Sequence, residues 1–320
     1  MEVFHSFQEI TGCHAAVVAL GTFDGVHMGH RAVMRAAMAE AKKLHRKAAV
    51  VTFSAHPLSV LHPEKEPLRL ATTAQKIQYI ADVGVDVLVL LPMTKELMAE
   101  TPTAFCRQLQ ETFCPAAIVV GENFTYGAGA GGNTETLAAY MKKHRTPVQV
   151  LPLVPDPQGL EPISSTKIRQ LIACGNVEEA GRLLGRPFVM TGTVADGDRR
   201  GRTIGFPTAN LHLAPHMAVP ADGVYITEVS RQGQWLPAMT NVGANPTFTR
   251  QYRRVETHIL DWHEDIYGQD ITVSFLRRIR EEKQFPTVAA LITQMQQDKE
   301  VVRQYFLTRQ ALQDLETVSL

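Results

Sequence analysis

The sequence predicts two folded units in succession: an α/β unit built on a parallel sheet, then an antiparallel β unit followed by a long helix. Three observations lead to this fold class. The chain has 320 residues, which is enough for two domains of ordinary size. In its first half, short apolar runs alternate with segments of helical period. In its second half, β-rich runs are separated by glycine, proline and asparagine turns.

Strands and helices alternate in the first half, which is typical of a parallel sheet covered on both faces. Ligands bind such sheets beyond the carboxyl ends of the strands, so the loops that follow strands are the places to search for a site. The predicted strands are Ala15–Leu20, Ala48–Phe53, Val85–Leu91, Ala116–Val120 and Val148–Val154. The predicted helices are Met28–Leu44, Thr73–Val83, Pro102–Phe113 and Thr134–His144, the first with Met34, Ala37, Met38, Ala41 and Leu44 on one face.

The second half lacks helical segments between its strands, which favours an antiparallel barrel or sandwich. One long helix, Thr287–Leu307, closes the chain, with Pro286 near its start. The change from alternating strands and helices to successive strands falls near Gly185-Arg186-Pro187, so we expect domains at residues 1–185 and 186–320. The predicted strands are Phe188–Ala195, Gly223–Arg231, Trp235–Asn241, Arg254–Leu260 and Asp270–Leu276.

The composition is that of an ordinary globular protein and restricts the class of partner. Lysine and arginine number 32, aspartate and glutamate also 32, so no net charge points to nucleic acid or to a membrane surface. The first ten residues lack the basic start and apolar stretch of a secretion signal, so a cytoplasmic location is expected. The four cysteines form no C-x-x-C pair and no zinc spacing, which indicates reduced thiols. Nothing in the sequence implies a protein partner.

The loop after the first predicted strand carries the sequence GTFDGVHMGH and leads directly into a helix. His27 and His30, three residues apart, project from one helix face, and Gly29 between them permits close approach of a ligand. A helix N-terminus favours an anion, and protonated or hydrogen-bonding histidines stabilise charge that develops on a polyphosphate. The alternative is a surface turn with incidental histidines.

A second candidate lies at Ile163–Arg169, where three hydroxyl side chains open an amphipathic helix that also carries Lys167 and Arg169. Ordinary N-capping would explain one hydroxyl. Cations in a first turn conflict with the helix dipole, and a bound phosphate removes that conflict. The segment therefore predicts a phosphate contact.

The run Gly127–Gly132 contains a literal G-x-G-x-x-G and raises the alternative of a dinucleotide-dependent oxidoreductase. A dinucleotide fingerprint follows a strand directly and is matched by an acidic residue about 20 positions later. Here Glu122–Tyr126 intervene, and Asp156 fits the spacing only loosely. A glycine loop beside the active site is the favoured interpretation.

The stretch Asp196–Asn210 is dense in glycine and arginine, which can hold phosphates by main-chain N–H groups and guanidinium forks. The chain has no Gly-Lys dipeptide, which excludes a P-loop kinase. Thr208 and Asn210 share one face of an extended segment, and their oxygens suit Mg²⁺ shared with ATP. A turn with solvated arginines is the alternative.

In the strand near Val255–Asp261, alternation places Glu256, His258 and Leu260 on one face. Glu256 is either a surface charge or, if it faces Thr208, a base that takes the proton from an attacking hydroxyl.

These motifs resemble those of the bacterial bifunctional riboflavin kinase/FAD synthetases. The H-x-G-H and S-S-T-x-I-R segments match the nucleotidyltransferase motifs, and TFSAHP at 52–57, GENFTYG at 121–127 and LGRP at 184–187 extend the similarity. Asn123 stands where many members have aspartate. The resemblance implies an α/β nucleotidyltransferase domain with a parallel sheet, followed by a β-barrel riboflavin kinase domain with a C-terminal helix.

The resemblance also implies substrates and roles: riboflavin, FMN, FAD and ATP with Mg²⁺, and no nucleic acid or membrane. It assigns catalysis to Glu256, His27 and His30, and metal binding to Thr208 and Asn210. Flavin contacts are assigned to Asn123, Phe124, Arg277 and Phe285. Nucleotide contacts are assigned to Gly21, Phe23, Asp24, Gly29, Ser164, Ser165, Thr166, Arg169, Gly201, Arg202, Gly205 and Pro207. A monofunctional riboflavin kinase with a degenerate nucleotide-binding N-terminal domain remains the alternative function.

Overall fold

A computed structural model describes residues 1–195, 204–231, 233–244, 253–262 and 264–318 of the chain. The chain divides into two compact units, Met1–Lys167 and Ile168–Leu320. The predicted order, an α/β unit before a β unit, is confirmed.

The first unit contains a parallel sheet in the order β1-β4-β3-β2-β5-β8, in which every paired strand runs in the same direction. The short β6 and β7 form a separate antiparallel hairpin. The bounds are β1 (Glu2–Phe4), β2 (Val17–Leu20), β3 (Ala48–Phe53), β4 (Val87–Leu91), β5 (Ala117–Gly121), β6 (Thr125–Tyr126), β7 (Gly132–Asn133) and β8 (Val148–Leu151).

The helices of this unit begin where the sequence supplies caps. Thr72 and Asn133 each form a capping box, and the Thr101 side chain accepts a hydrogen bond from Ala104 N–H. The bounds are α1 (Met28–Leu44), α2 (Leu58–Leu61), α3 (Thr73–Ala81), α4 (Lys95–Ala99), α5 (Pro102–Phe113), α6 (Thr134–Lys143) and α7 (Ser165–Ala173), the last of which contains the division between the units.

Apolar cores lie on both faces of the sheet because alternate strand residues point in opposite directions. Val18 of β2 packs with residues of α5 and α6, whereas Val17 packs with residues of α1. Met34, Ala37 and Ala41 are buried as predicted, and Met38 is half-buried. The prediction for Leu44 is wrong: it is 41% exposed, because it is the last residue of α1 and the chain turns away at left-handed His45.

The order of the strands places two loops at a topological switch point. From β2 the chain adds β3 and β4 on one side, and β5 and β8 lie on the other side of β2. Crossovers therefore leave the carboxyl ends of β2 and β5 in opposite directions, which opens a crevice at that edge. The loops that follow these two strands contain the H-x-G-H motif and Asn123.

The second unit is a closed antiparallel barrel, which decides between the two predicted alternatives. Its strand order is β10-β13-β12-β11-β14-β9. The sequence analysis did not predict β10 as a strand, because its five residues, which begin two positions after Pro207, show too little periodicity. The bounds are β9 (Phe188–Ala195), β10 (Ala209–Leu213), β11 (Gly223–Arg231), β12 (Gln234–Ala244), β13 (Arg253–Ile259) and β14 (Asp270–Arg280).

Two helices pack on the outside of the barrel. α8 (Val177–Leu184) contacts β9 and β14, and α9 (Val288–Val318) contacts β12. Arg280 of β14 and the buried Asp298 of α9 form an ion pair at 2.8 Å that fixes this helix. α9 extends beyond the predicted Leu307, because no glycine or proline interrupts the helix-forming residues that follow.

Candidate functional site

The loop after β2 has an unusual backbone. Phe23 (φ 47°), Gly25 (φ 73°) and Val26 (φ 43°) are all left-handed, and Phe23 and Val26 are buried. A β-branched residue such as valine rarely adopts this conformation, and strain of this kind is common at functional sites. The turn carries the chain into His27, the N-cap of α1.

The two histidines of the motif lie together at the start of α1. The Nδ1 atom of His27 accepts a hydrogen bond from the His30 main-chain N–H at 3.4 Å, and the two rings stack with centroids 3.5 Å apart. Gly29 leaves room beside them, because a Cβ at this position would lie only 3.2 Å from the His27 ring, closer than an ordinary contact. The predicted juxtaposition of His27 and His30 is thus present.

His30 is held in its neutral form. Burial of the ring, followed by the influence of His27 and Lys76, keeps the pKa of His30 well below its ordinary value of 6.5. The Nδ1 atom of His30 is buried and has no hydrogen-bond partner among the described residues. Of the two roles considered for the histidines, hydrogen bonding by a neutral ring therefore fits His30 better than a positive charge.

The serine segment meets the same loop. Ser165 Oγ donates a hydrogen bond to the carbonyl oxygen of Asp24 at 3.1 Å, although 141 positions separate the two residues. Ser164 Oγ accepts from the Lys167 N–H at 3.2 Å, as an N-cap does. Thr166 is exposed, and Arg169 is half-buried on α7.

Lys167 does not supply free positive charge to this helix start, contrary to what the sequence suggested. Its Nζ atom forms ion pairs with Asp156 at 2.8 Å and with Glu161 at 2.9 Å. The carboxylates neutralise the ammonium, and the pKa of Asp156 is lowered mainly by its hydrogen bond from Lys167. Lys167 therefore fixes the loop that precedes α7.

An aromatic cavity of about 170 Å³ lies at the carboxyl ends of β2 and β3, lined in part by Gly21, Thr22 and Phe53. Phe124 also lines it, and its ring stacks on Tyr126 with centroids 5.6 Å apart. Asn123 is exposed and does not line this cavity.

The glycine run contributes to the rim of the same cavity through Gly127 and Ala130. It follows the short strand β6 of the hairpin rather than a strand of the parallel sheet. This context disfavours a dinucleotide fingerprint, as the spacing predicted.

Lys76 is a residue of this site that the sequence analysis missed. It is only 8% exposed, and its Nζ donates to the carbonyl oxygens of Thr22 at 2.6 Å and Phe53 at 2.7 Å. Burial lowers the pKa of Lys76 to about 8, and the charge of Asp24 acts in the opposite direction. A signal was available: Lys76 lies four residues before the buried Ile80, on the apolar face of α3.

In the second unit, the residues predicted to bind metal and to act as base line one cavity of about 370 Å³. Asn210 of β10 and Asn241 of β12 are the direct cross-strand neighbours of Glu256 on β13. Thr208 lies on the same side as Asn210 and lines the same cavity. Phe285 also lines it, together with apolar residues that include Phe206, Met239 and Met295.

Glu256 is a partly accessible carboxylate with a cationic neighbour. Its Oε1 lies 3.2 Å from Nη1 of Arg254, and its side chain is 26% exposed. His258, two residues later on the same face, is buried and lies with Nδ1 2.8 Å from the Pro207 carbonyl oxygen. That contact ties the segment before Thr208 to β13.

A second cavity of about 390 Å³ adjoins the first. It is lined by Pro207, Trp262 and Tyr267 among others, and Thr208 lines both cavities. Gly205 precedes it in a left-handed turn (φ 83°). The sequence analysis did not predict this second cavity.

Some predicted residues are not brought into these cavities. Arg277 points to the outer surface, where it pairs with Glu178 at 3.1 Å and lies over the ring of Tyr305. It does not line either cavity near Glu256. Gly201 and Arg202 lie outside the described residues. Within the part of the chain that is described, no helix is both long and apolar enough to cross a bilayer.

Comparison with known proteins gives matches for both units. Residues 10–167 match the FAD synthetase family model, and residues 184–306 match the riboflavin kinase family model. The chain is 35% identical to the bifunctional riboflavin kinase/FMN adenylyltransferase of Listeria monocytogenes, over 91% of this chain and 92% of the relative. It is also 35% identical to the protein of that name from Escherichia coli K12, over 94% of this chain and 95% of the relative.

A solved structure has the same fold over almost the whole length. It is a crystal structure described as a macrolide-efflux protein from Streptococcus pneumoniae, with a TM-score of 0.85 and 38% identity. The match covers 94% of this chain and 98% of that chain. Both units therefore have counterparts in one solved chain.

Proposed function

This chain belongs to the bifunctional riboflavin kinase/FMN adenylyltransferase family, and we propose that its two units catalyse successive steps of FAD synthesis. The barrel unit transfers the γ-phosphate of ATP to riboflavin, giving FMN and ADP. The α/β unit transfers the adenylyl group of a second ATP to FMN, giving FAD and pyrophosphate. The observation that carries the proposal is that each unit matches its own family model and has its own polar site.

In the phosphorylation step, the terminal hydroxyl of riboflavin attacks the γ-phosphorus while the bond from that phosphorus to the ADP oxygen breaks. Glu256 is the group that accepts the hydroxyl proton. The apolar residues of the cavity that Glu256 lines, among them Phe206 and Phe285, suit the flavin ring system. Because Thr208 lines both cavities, a phosphate donor in the second cavity and a hydroxyl in the first would meet beside Thr208.

The oxygen atoms near Glu256 fit a magnesium ion. Thr208 and Asn210 offer a hydroxyl and an amide oxygen, which are the hard ligands that Mg²⁺ accepts together with ATP phosphates and water. When bound, Mg²⁺ neutralises charge on the phosphates. These two side chains would hold the ion in the same cavity that Glu256 lines.

In the adenylylation step, a phosphate oxygen of FMN attacks the α-phosphorus of ATP and pyrophosphate leaves. The N-terminus of α1 and the hydrogen-bonding rings of His27 and His30 stabilise the charge on the phosphates. Ser164 and Ser165 extend this polar surface. The aromatic cavity that contains Phe124 receives the flavin.

The reaction products distinguish this function from its alternatives. The purified protein is incubated with riboflavin and ATP, with Mg²⁺ or with excess chelator, and the flavins are separated by chromatography. We expect FMN and then FAD, and neither in the presence of chelator. FMN alone would support the monofunctional kinase, and the absence of any new flavin would support the oxidoreductase alternative.

A further inference from the structure

The loop between β2 and α1 needs support from outside, because its own backbone is strained. Phe23 and Val26 are left-handed without being glycine, and such residues persist only where the surroundings fix them. The supports come from distant parts of the chain. Ser165 Oγ binds the Asp24 carbonyl, and Thr52 Oγ1 donates to the Thr22 carbonyl at 2.9 Å.

Lys76 is the third support and differs from the others in its charge. Its ammonium donates to the Thr22 carbonyl on the loop and to the Phe53 carbonyl at the end of β3. Thr22 and Phe53 both line the aromatic cavity. One buried cation therefore connects the loop that leads to His27 with the wall of the proposed flavin cavity.

A neutral donor could serve one carbonyl at lower cost, because burying an ammonium is unfavourable. Burial lowers the pKa of Lys76 to about 8, so the group still carries its proton at neutral pH. An ammonium has three donors on a compact head, which allows it to bind carbonyls of two different segments. A charged clamp at a site for phosphates also adds a favourable field for anions.

We propose that Lys76 is a positioning residue for FMN adenylylation, and that its ammonium holds the Gly21–Val26 loop and the end of β3 in the arrangement that the reaction requires. This inference rests on the proposed adenylylation. Lys76 acts through the main chain of Thr22 and Phe53.

To attribute a pH dependence to Lys76, the other titratable and charged groups that face it must be identified. On the loop side Asp24 faces it, and on the α1 side His30 does. β3 contributes the Thr52 hydroxyl and a carbonyl, which do not titrate. His30 is already neutral above about pH 7, because burial holds its pKa well below 6.5.

The test compares Lys76→Met, which keeps the length and removes the charge, with Thr52→Val, which removes the other hydrogen bond to the Thr22 carbonyl. Both variants are assayed for FMN-to-FAD turnover and, in the same preparation, for riboflavin phosphorylation. We expect Lys76→Met to lose about 100-fold in adenylylation, the size of effect that a small misplacement of reacting groups produces. Phosphorylation should stay unchanged, and Thr52→Val should cost less than about threefold.

The pH profile of the wild-type protein tests the same idea without a variant. Its adenylylation should fall as pH rises through about 8, since Lys76 then loses its proton, and riboflavin phosphorylation should not share this decline. The proposal is overturned if Lys76→Met keeps full adenylylation, if Thr52→Val is impaired as severely, or if the wild-type profile is flat across that range. A wild-type protein that makes FMN but never FAD would instead overturn the proposed adenylylation itself.

Discussion

Glu256→Gln separates a catalytic carboxylate from a surface charge. Gln keeps the shape of the side chain between Asn210 and Asn241, so the strand register that positions it should survive. It removes the basic oxygen that we propose accepts the riboflavin hydroxyl proton. General bases contribute about 10²–10⁴ in rate, which corresponds to about 3–5 kcal/mol of activation free energy.

The same substitution should cost little stability. It breaks the ion pair between Glu256, whose side chain is 26% exposed, and Arg254, whose side chain is 38% exposed. Partly exposed pairs contribute at most about 1 kcal/mol to the free energy of unfolding. A large loss of activity beside a small change in melting temperature would therefore locate the effect in the chemistry.

The assay measures riboflavin consumption at saturating Mg-ATP and counts FMN plus FAD as product, because the other unit consumes FMN. FMN-to-FAD turnover in the same preparation is the internal control and should stay nearly intact. Arg254→Gln is the matched variant: it removes the ion pair and leaves the carboxylate. A loss below about tenfold in Glu256→Gln, or an equal loss in both variants, would refute the general-base role, since positioning and metal electrostatics would then carry phosphoryl transfer.

Four further outcomes are expected. His30→Ala should abolish FAD formation and spare FMN formation, and equal loss of both in a folded variant would contradict the two-site assignment. Thr208→Ala should raise the KM for Mg-ATP in phosphorylation alone, as steady-state kinetics of both reactions would show. The unfolded chain protonates at His30 near its ordinary pKa of 6.5 while the folded chain does not. The free energy of unfolding should thus be fully retained above pH 6.5 and should decrease as the pH falls below 6.5. The decrease should be smaller in His30→Asn. Denaturant titrations at several pH values would measure both. A fragment of residues 168–320 should fold and phosphorylate riboflavin. Its melting temperature should be higher than that of a fragment of residues 186–320, which lacks the buried face of α8. Equal melting temperatures would argue against a stabilising role for α8.

The fold class could be predicted from the sequence because its signals are local. Periodicity and caps depend on residues a few positions apart, and the strand Ala48–Phe53 and the helices Met28–Leu44 and Pro102–Phe113 have their predicted bounds. The motif loops could be found for the same reason, since a loop after a parallel strand must lie at the binding edge of the sheet. Short β10 was missed because five residues after a proline carry too little periodicity.

The surroundings of a side chain depend on which segments meet in the folded protein, so they could not be inferred from the sequence. Lys167 has the same residue type that a phosphate site would use, but Asp156 and Glu161 neutralise it. Arg277 is assigned a flavin contact by the resemblance, yet it pairs with Glu178 on the outside of the barrel. In each case the cation is paired with a carboxylate elsewhere in the chain.

The order of the two units, the positions of their motif loops and the chemical types of the candidate groups could all be inferred from the amino-acid sequence. The closure of the barrel decided that Glu256 lies between Asn210 and Asn241, because cross-strand register is set by pairing over the whole sheet. The packing of α3 decided that Lys76 reaches the ends of both β2 and β3. Neither relation is local in the chain, so no pattern of spacing contains it.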